Sequence, residues 1–309
     1  MAIAITIAAL AAANMTFVDA RQDAAKIVAA SSGKSAVAGK AGWYYFVPEL
    51  KHLTGGTFWG KGGNMDPLPA ITDFNAQCKK AGVELIMVPV PGKAAVYPQG
   101  LTGKSDASLA AIDKQFFSVL RQRGVKVLDL NGPLRAKAAL SFCKQDTHWS
   151  GTGVNVAASA IAAELKRKPW YSGVRKGAYR VTPATVKAKG DLGEMAGARG
   201  SEAIKVFKVS GNVSPDRSSP VVLLGDSHNL IFSAGGDMIT SGAGLPENLS
   251  AKLGFPVDLV AVRGSGATPA RINLARRRDN LRGKKVVVWV FTTREFTEGQ
   301  GWRKVPVVR

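Results

Sequence analysis

Five short stretches of almost unbroken apolar residues constrain the fold of this chain more than any other feature. They are GVELIMVPVP (82–91), VKVLDL (125–130), PVVLLGDS (220–227), VDLVAV (257–262) and KKVVVWVF (284–291). A strand with one wet face alternates polar and apolar residues, whereas a run that is apolar throughout suits a strand covered on both faces. Helical patterns fill the gaps. After Trp149, the residues Val154, Ala158, Ile161 and Leu165 recur at helical spacing and draw an apolar stripe. Residues 105–122 and 268–282 also read as helices, the second very basic on its outer face. Strands alternating with helices predict an α/β fold, an α/β/α sandwich with a mostly parallel central sheet. The 309 residues suffice for one large domain of this kind or two smaller ones, and neither an internal repeat nor a low-complexity linker divides them.

Two regions break the pattern. The first eighteen residues, MAIAITIAALAAANMTFV, contain no Asp, Glu, Lys or Arg, and the first basic residue is Arg21. This stretch has the length of a signal-peptide core or a marginal anchor, the competing use being a buried N-terminal helix, so we expect residues 1–20 to direct export or anchor the chain and the rest, 21–309, to form the working domain. Between Lys166 and Lys208 lie eleven Lys/Arg against three acidic residues, with no strong period. That segment reads as a basic insertion over the sheet, either a lid or groove wall or a solvated loop. Over the whole chain 42 Lys+Arg oppose 22 Asp+Glu, a net +20, which suits a polyanion: nucleic acid, acidic polysaccharide or an anionic membrane face. Two cysteines, Cys78 and Cys143, allow one disulfide or two buried thiols and exclude a four-cysteine zinc site.

In open parallel sheets, functional residues gather just beyond the C-terminal ends of strands. PVVLLGDSHN puts Gly225, Asp226, Ser227 and His228 at such an end. A serine hydroxyl is a weak nucleophile until a neighbouring base takes its proton, and that base needs an orienting acid. FCKQDTHWSGTG (142–153) offers both, Asp146 and His148, just before a helix. In an Asp-x-His arrangement the carboxylate can hold one ring nitrogen while the other faces the serine. The expected triad is Asp146, His148 and Ser227. The competing use for Asp146 is to cap the following helix.

DTHWSGTG followed by LLGDSHN resembles the SGNH-hydrolase-like domain of bacterial alginate O-acetyltransferases of the AlgX/AlgJ type. GKAGWYYFVPELKHLTGG (39–56), IMVPVPGKAAVYP (86–98), RGSGATPAR and VVVWVFTTREF are similar to further blocks of that family, so the resemblance runs from about residue 39 to 298. It implies periplasmic transfer of acetyl groups to hydroxyls of an exopolysaccharide, with Ser227 as nucleophile, His148 as base and Asp146 as its orienter. It also implies an acetyl donor supplied through a membrane acyltransferase. Gly264 and Ser265 fall in the glycine-rich block after a strand, where backbone amides would help form an oxyanion site. His228 stands where the family carries a bulky apolar residue. If the N-terminal stretch exports the chain, the basic surface meets an acidic glycan rather than nucleic acid, for which no reading motif is present.

Lys93 and Tyr97, in the loop after the first core strand, are expected near substrate. Arg294, after the last strand, is placed either to position a ligand or to pair with a carboxylate. Trp43, Tyr44 and Tyr45 are sugar-stacking or core aromatics, His52 is surface or structural, and the run ARRRDNLRGKK (275–285) reads as a basic helix face. A metallophosphatase also uses Asp-x-His and Gly-Asp motifs, but it needs more ligands than three histidines readily supply. The serine chemistry requires no metal or cofactor. A carbohydrate esterase with the same triad, or a polymer-binding scaffold, is compatible with the same residues.

Overall fold

The structure, a computed structural model, describes residues 19–309. The apolar stretch 1–18, expected to be an export signal or anchor, lies outside the described residues. Among the described residues no helix is long and apolar enough to cross a membrane. The strands in chain order are β1 (Ala36–Ala38), β2 (Tyr44–Phe46), β3 (Glu84–Val90), β4 (Lys126–Val127), β5 (Tyr179–Ala188), β6 (Glu202–Gly211), β7 (Val221–Gly225), β8 (Asp258–Ala261) and β9 (Val286–Thr292). Five of them form one wholly parallel sheet in the order β4-β3-β9-β7-β8. Each comes from one of the five apolar runs. VKVLDL is trimmed to two residues because Leu128 makes its last bond to the Met87 carbonyl, and the Asp129 carboxylate then accepts from the Asn131 amide and turns the chain into a helix.

Side chains of a strand alternate between faces, so a run apolar at every position feeds two cores. Ile86, Val88, Val90, Val221, Leu223, Val286, Val288 and Val290 belong to one, and Leu85, Met87, Val222, Leu224, Val287, Trp289 and Phe291 to the other. The first core is closed by helices Gly151–Lys166 and Leu245–Leu253, through Val154, Ile161, Leu165, Leu249 and Leu253. Helices Pro67–Lys80, Ala111–Gln122 and Thr268–Arg276 close the second, through Ile71, Phe74, Phe116, Leu120 and Leu274. Full burial of a side chain such as Ile161 or Phe74 contributes about 1.5–3 kcal/mol, so each helix stays because of its apolar stripe. The result is three layers, helix over sheet over helix. Cys78 lies in one core and Cys143 in the other; both are buried free thiols, kept apart by the sheet.

The basic segment Lys166–Lys208 departs from expectation. It is not an aperiodic cover over the sheet. Most of it belongs to a long antiparallel hairpin, β5 on β6, in register from Tyr179↔Gly211 to Ala188↔Glu202. Ile204 and Val206 are buried in the first core, while Lys205 between them faces water. That period of two is the strand signal the charge count obscured. The expected helix 268–282 also ends early, at Arg276, because the backbone takes positive φ at Arg278, Asn280 and Leu281 (55°, 50° and 59°).

Candidate active site

The C-terminal ends of β3, β7, β8 and β9 bring Lys93, Ser227, Ser265 and Arg294 to one edge of the sheet. At Gly225 a Cβ would lie 1.6 Å from the Val290 carbonyl oxygen of the neighbouring strand, so no other residue fits. The chain then turns sharply. Asp226 caps the short turn Ser227–Asn229, its Oδ1 accepting from the His228 amide at 2.9 Å and its Oδ2 from the Thr292 amide at 2.8 Å. Burial works against a charge on Asp226, but His228, the Thr292 amide and the Arg294 guanidinium outweigh it and hold the carboxyl at about 2. The Asn229 amide Nδ2 ties the turn to the carbonyls of Asp226 (3.1 Å) and Val290 (3.0 Å). Ser227 is presented by a rigid, charge-locked elbow.

The facing loop is as tightly held. Phe142 bridges to Trp149, the Cys143 amide donates to the His148 carbonyl at 3.2 Å, and Trp149 Nε1 donates to the His228 carbonyl at 3.1 Å. Ser150 caps the helix that follows, its Oγ accepting from the Thr152 and Gly153 amides, so Asp146 is not the cap. Asp146 Oδ1 instead accepts from the His148 amide at 2.9 Å and from His148 Nδ1 at 2.6 Å. A carboxylate there requires the proton on Nδ1, which leaves Nε2 as the acceptor for Ser227 Oγ at 2.7 Å. Burial would make both ring and carboxyl neutral. Their mutual attraction wins: it holds Asp146 well below the usual carboxylate range and raises His148 above ordinary imidazole, with Asp191 and Asp226 adding to the rise. Such a chain can take a proton from a hydroxyl and stabilise the imidazolium that forms.

The other expected residues divide. Lys93 is 1% exposed and sits behind the loop, where its Nζ donates to the carbonyls of Asp146 (2.7 Å), Tyr44 (2.9 Å) and Lys144 (3.4 Å). Its ammonium is committed to backbone rather than turned to a substrate. Tyr97 is half-buried, with its ring 4.6 Å from that of Trp43 and its carbonyl accepting from Tyr45 Oη, so it builds a wall behind the loop. Trp43 and Tyr45 are themselves buried core. Arg294 is half-buried, over the Phe46 ring at 5.2 Å, and its charge acts on Asp226, His228 and Glu49. Gly264 is exposed, whereas the Ser265 hydroxyl donates to Glu295 at 2.6 Å in a buried contact. Between that loop and the nucleophile turn the fit is close, since a Cβ on Gly266 would lie 2.6 Å from the Asp226 nitrogen. His52 is structural, buried between Asp113 (2.8 Å) and Thr297 (3.0 Å).

Two functional features escaped the sequence. Asp191, in the link of the basic hairpin, accepts from both the amide and the hydroxyl of Thr147 at 2.7 Å, and its own amide donates to Asp146 Oδ2 at 3.4 Å. Asp146, His148 and Asp191 are also the one group of three potential metal ligands among the described residues, although both Asp191 oxygens are engaged by Thr147. The second feature is the charge of the cleft. About 580 Å³ opens beside Asp146 and His148, lined by Lys189, Asp191, Glu194 and Asp237, with Met238 and Ile239. Lys189 of the basic insertion lines this cleft, whereas Arg276, Arg277 and Arg278, in the run read as a basic helix face, precede β9 at the opposite edge of the sheet.

Comparison with known proteins places this chain among relatives. The family described as SGNH hydrolase-like domain, acetyltransferase AlgX, matches residues 36–293. A probable alginate O-acetylase AlgJ of Pseudomonas syringae pv. tomato is 30% identical over 159 residues, which are 50% of this chain and 40% of that protein. The chain thus spans less than half the length of that curated relative. Among solved structures, the O-acetyltransferase domain of Pseudomonas putida AlgJ superposes with a TM-score of 0.65 at 24% identity, covering 85% of this chain and 92% of that one. Pseudomonas aeruginosa AlgX superposes with a TM-score of 0.63 at 17% identity, covering 84% and 62%. At these identities the superpositions speak to the fold.

Proposed function

Since the chain belongs to the AlgX family of SGNH hydrolase-like acetyltransferase domains, we propose that it transfers acetyl groups to hydroxyls of a polysaccharide through an acetyl-serine intermediate. The observation that carries this reading is the continuous hydrogen-bonded chain from Asp146 through His148 to Ser227 Oγ, at 2.6 and 2.7 Å. Ser227 Oγ attacks the acetyl carbonyl while its proton passes to His148 Nε2. Asp146 stabilises the imidazolium, which then protonates the departing group of the donor. In the second half an acceptor hydroxyl gives its proton to His148, its oxygen attacks the acetyl-serine carbonyl, and Ser227 leaves with the proton. The negative oxygen formed in each half needs fixed donors. The hydrogen bonds of the turn engage the amides of His228, Asn229, Leu230 and Ile231 and leave that of Ser227, so Ser227 N–H is the first candidate. The amides of the Gly264–Ser265 loop, packed on Asp226 through Gly266, are the second.

In this reading the acetyl group arrives from a donor handled by a membrane acyltransferase, and the protein works on the far side of the inner membrane. Along the cleft wall the carboxylates of Asp191 and Glu194 oppose a polyanionic acceptor, while Lys189 attracts it and Asp237 is neutralised by Arg263 at 2.6 Å. An esterase differs only in that water replaces the sugar hydroxyl. Incubating the protein with an acetyl ester and candidate glycans, followed by mass spectrometry, separates the two: acetylated sugar supports transfer, and free acetate alone overturns it. Ser227→Ala should reduce turnover by several orders of magnitude in a protein that still melts cooperatively. Wild-type turnover by that variant would end the serine mechanism.

A further inference from the structure

We propose that the end of the molecule opposite Ser227 is a docking surface for an anionic phospholipid bilayer. The helix Gly151–Lys166 begins next to His148 and has 16 residues, so it carries the chain about 24 Å away from the serine. The segment that follows, KRKPWYSGVRKGAYR (166–180), holds six Lys/Arg and no carboxylate. Lys168 bonds Glu84 at 2.7 Å, the first residue of β3, which fixes the segment at the N-terminal edge of the sheet. Of those six, Lys168 alone is ion-paired among the described residues.

Lys252, near the end of the neighbouring helix Leu245–Leu253, joins the same face. Burial and the charge of Lys166 together lower the affinity of Lys176 and of Lys252 for their protons, so these ammonium groups feel one another. A lysine at a helix C-terminus is ordinarily accounted for by the helix dipole. One or two cations satisfy two helix ends; a continuous set of unpaired ones does not arise from that cause. Trp170 and Tyr171, both half-buried, sit inside the cluster, and Lys176 Nζ lies 3.4 Å from the Tyr171 ring centroid. Basic residues around partly exposed Trp and Tyr match the headgroup level of a bilayer, where cations meet acidic lipids and amphipathic rings sit between water and hydrocarbon. A glycan held here would be separated from Ser227 by the packed helices of the first core, so the face suits a surface that orients the molecule rather than a strand that feeds the cleft. Docked this way, the triad faces away from the membrane, so the acetyl donor of the proposed reaction has to reach it through the water layer above the bilayer.

The test uses the full chain and vesicles of phosphatidylcholine with or without phosphatidylglycerol, at low and high salt. Binding should require the anionic lipid and fade with salt. The triple variant Lys166→Gln, Arg167→Gln, Arg175→Gln removes three exposed cations and should weaken binding by about two orders of magnitude. It should also keep the wild-type melting temperature and small-ester turnover, and Ser227→Ala should bind vesicles like wild type. Equal binding to both vesicle types overturns the proposal, as does anionic-vesicle binding unchanged by the triple variant. A polyuronate bound in a variant-sensitive way, with no binding to anionic vesicles, reassigns the surface to polymer.

Discussion

Lys93 shows how far a single charge can act without touching a reactant. Closed off from water, it finds its partners in three carbonyls, one of them that of Asp146 itself. Burial lowers its proton affinity, and Glu49 beside it works the other way. Lys93→Met keeps the length of the side chain and removes charge and donors; the carbonyls of Tyr44 and Asp146 lose their partner, while that of Lys144 keeps the Tyr44 amide. Turnover should fall roughly ten- to hundred-fold with little change in KM, because the loop carrying His148 loses its anchor. Loss of a positive charge beside the pair should also move the acidic limb of the pH–rate profile upward, and a purely structural role would leave that limb in place. The limb itself is set by His148. Its proton is held more tightly than in free imidazole, so activity should appear only as pH rises through a value above the ordinary 6.5. Asp146→Asn removes the charge that holds this proton. The limb should shift down while the rate falls by about four orders of magnitude, as expected when the imidazole loses its tautomer. A rate profile across pH checks both variants.

Elements bring residues together that neither chain distance nor local pattern joins. The hairpin β5–β6 anchors on the first core through Ile204 and Val206, and its link then delivers Asp191 to Thr147 and Asp146. The insertion therefore completes the site with acid, although its composition is basic. On the other side, the loop after β8 is clamped to the helix after β9 by the Ser265–Glu295 bond. Burial raises the Glu295 carboxyl from 4.5 to about 7, with Asp226 adding to the rise against Ser265. The folded state thus binds this proton more tightly than the unfolded chain, so the contribution is complete below about 4.5 and is lost as pH rises through about 7. Glu295→Gln imitates the protonated form. It should melt with wild type in mild acid and above wild type in mild base; a difference independent of pH would place the strain elsewhere.

At the scale of the whole molecule, a net charge of +20 coexists with a cleft lined by carboxylates. The sheet separates the two. Its C-terminal edge carries the site, and its N-terminal edge carries Lys166, Lys252 and the arginines before β9. Arg277 is spent on the buried Asp258 carboxylate at 2.6 Å, which Lys284 also reaches at 2.7 Å. Arg276 and Arg278 are the residues to neutralise without disturbing that pair. Replacing both by Gln should leave small-ester turnover and acceptor KM at wild-type values at any salt concentration, since screening over about 10 Å isolates them from the cleft. A raised acceptor KM at low salt would return these arginines to the polymer path.

Apolar runs and helical stripes are properties of neighbours in sequence, and they were enough to determine the α/β/α layers and all five sheet strands. The residue types of DTHW and GDSH likewise named an acid, a base and a hydroxyl before any distance was known. Tertiary structure decided what depends on contacts between distant segments. Lys93 reads as a cleft residue until burial turns its ammonium to three backbone carbonyls. Asp191 is one carboxylate among many until a hairpin, hidden by its own lysines, docks on Thr147. Charge composition is a sum, and a sum carries no position. Only the direction of the strands, set by parallel pairing over two cores, put Lys166, Lys252 and the arginines before β9 at one end of the molecule and the serine at the other.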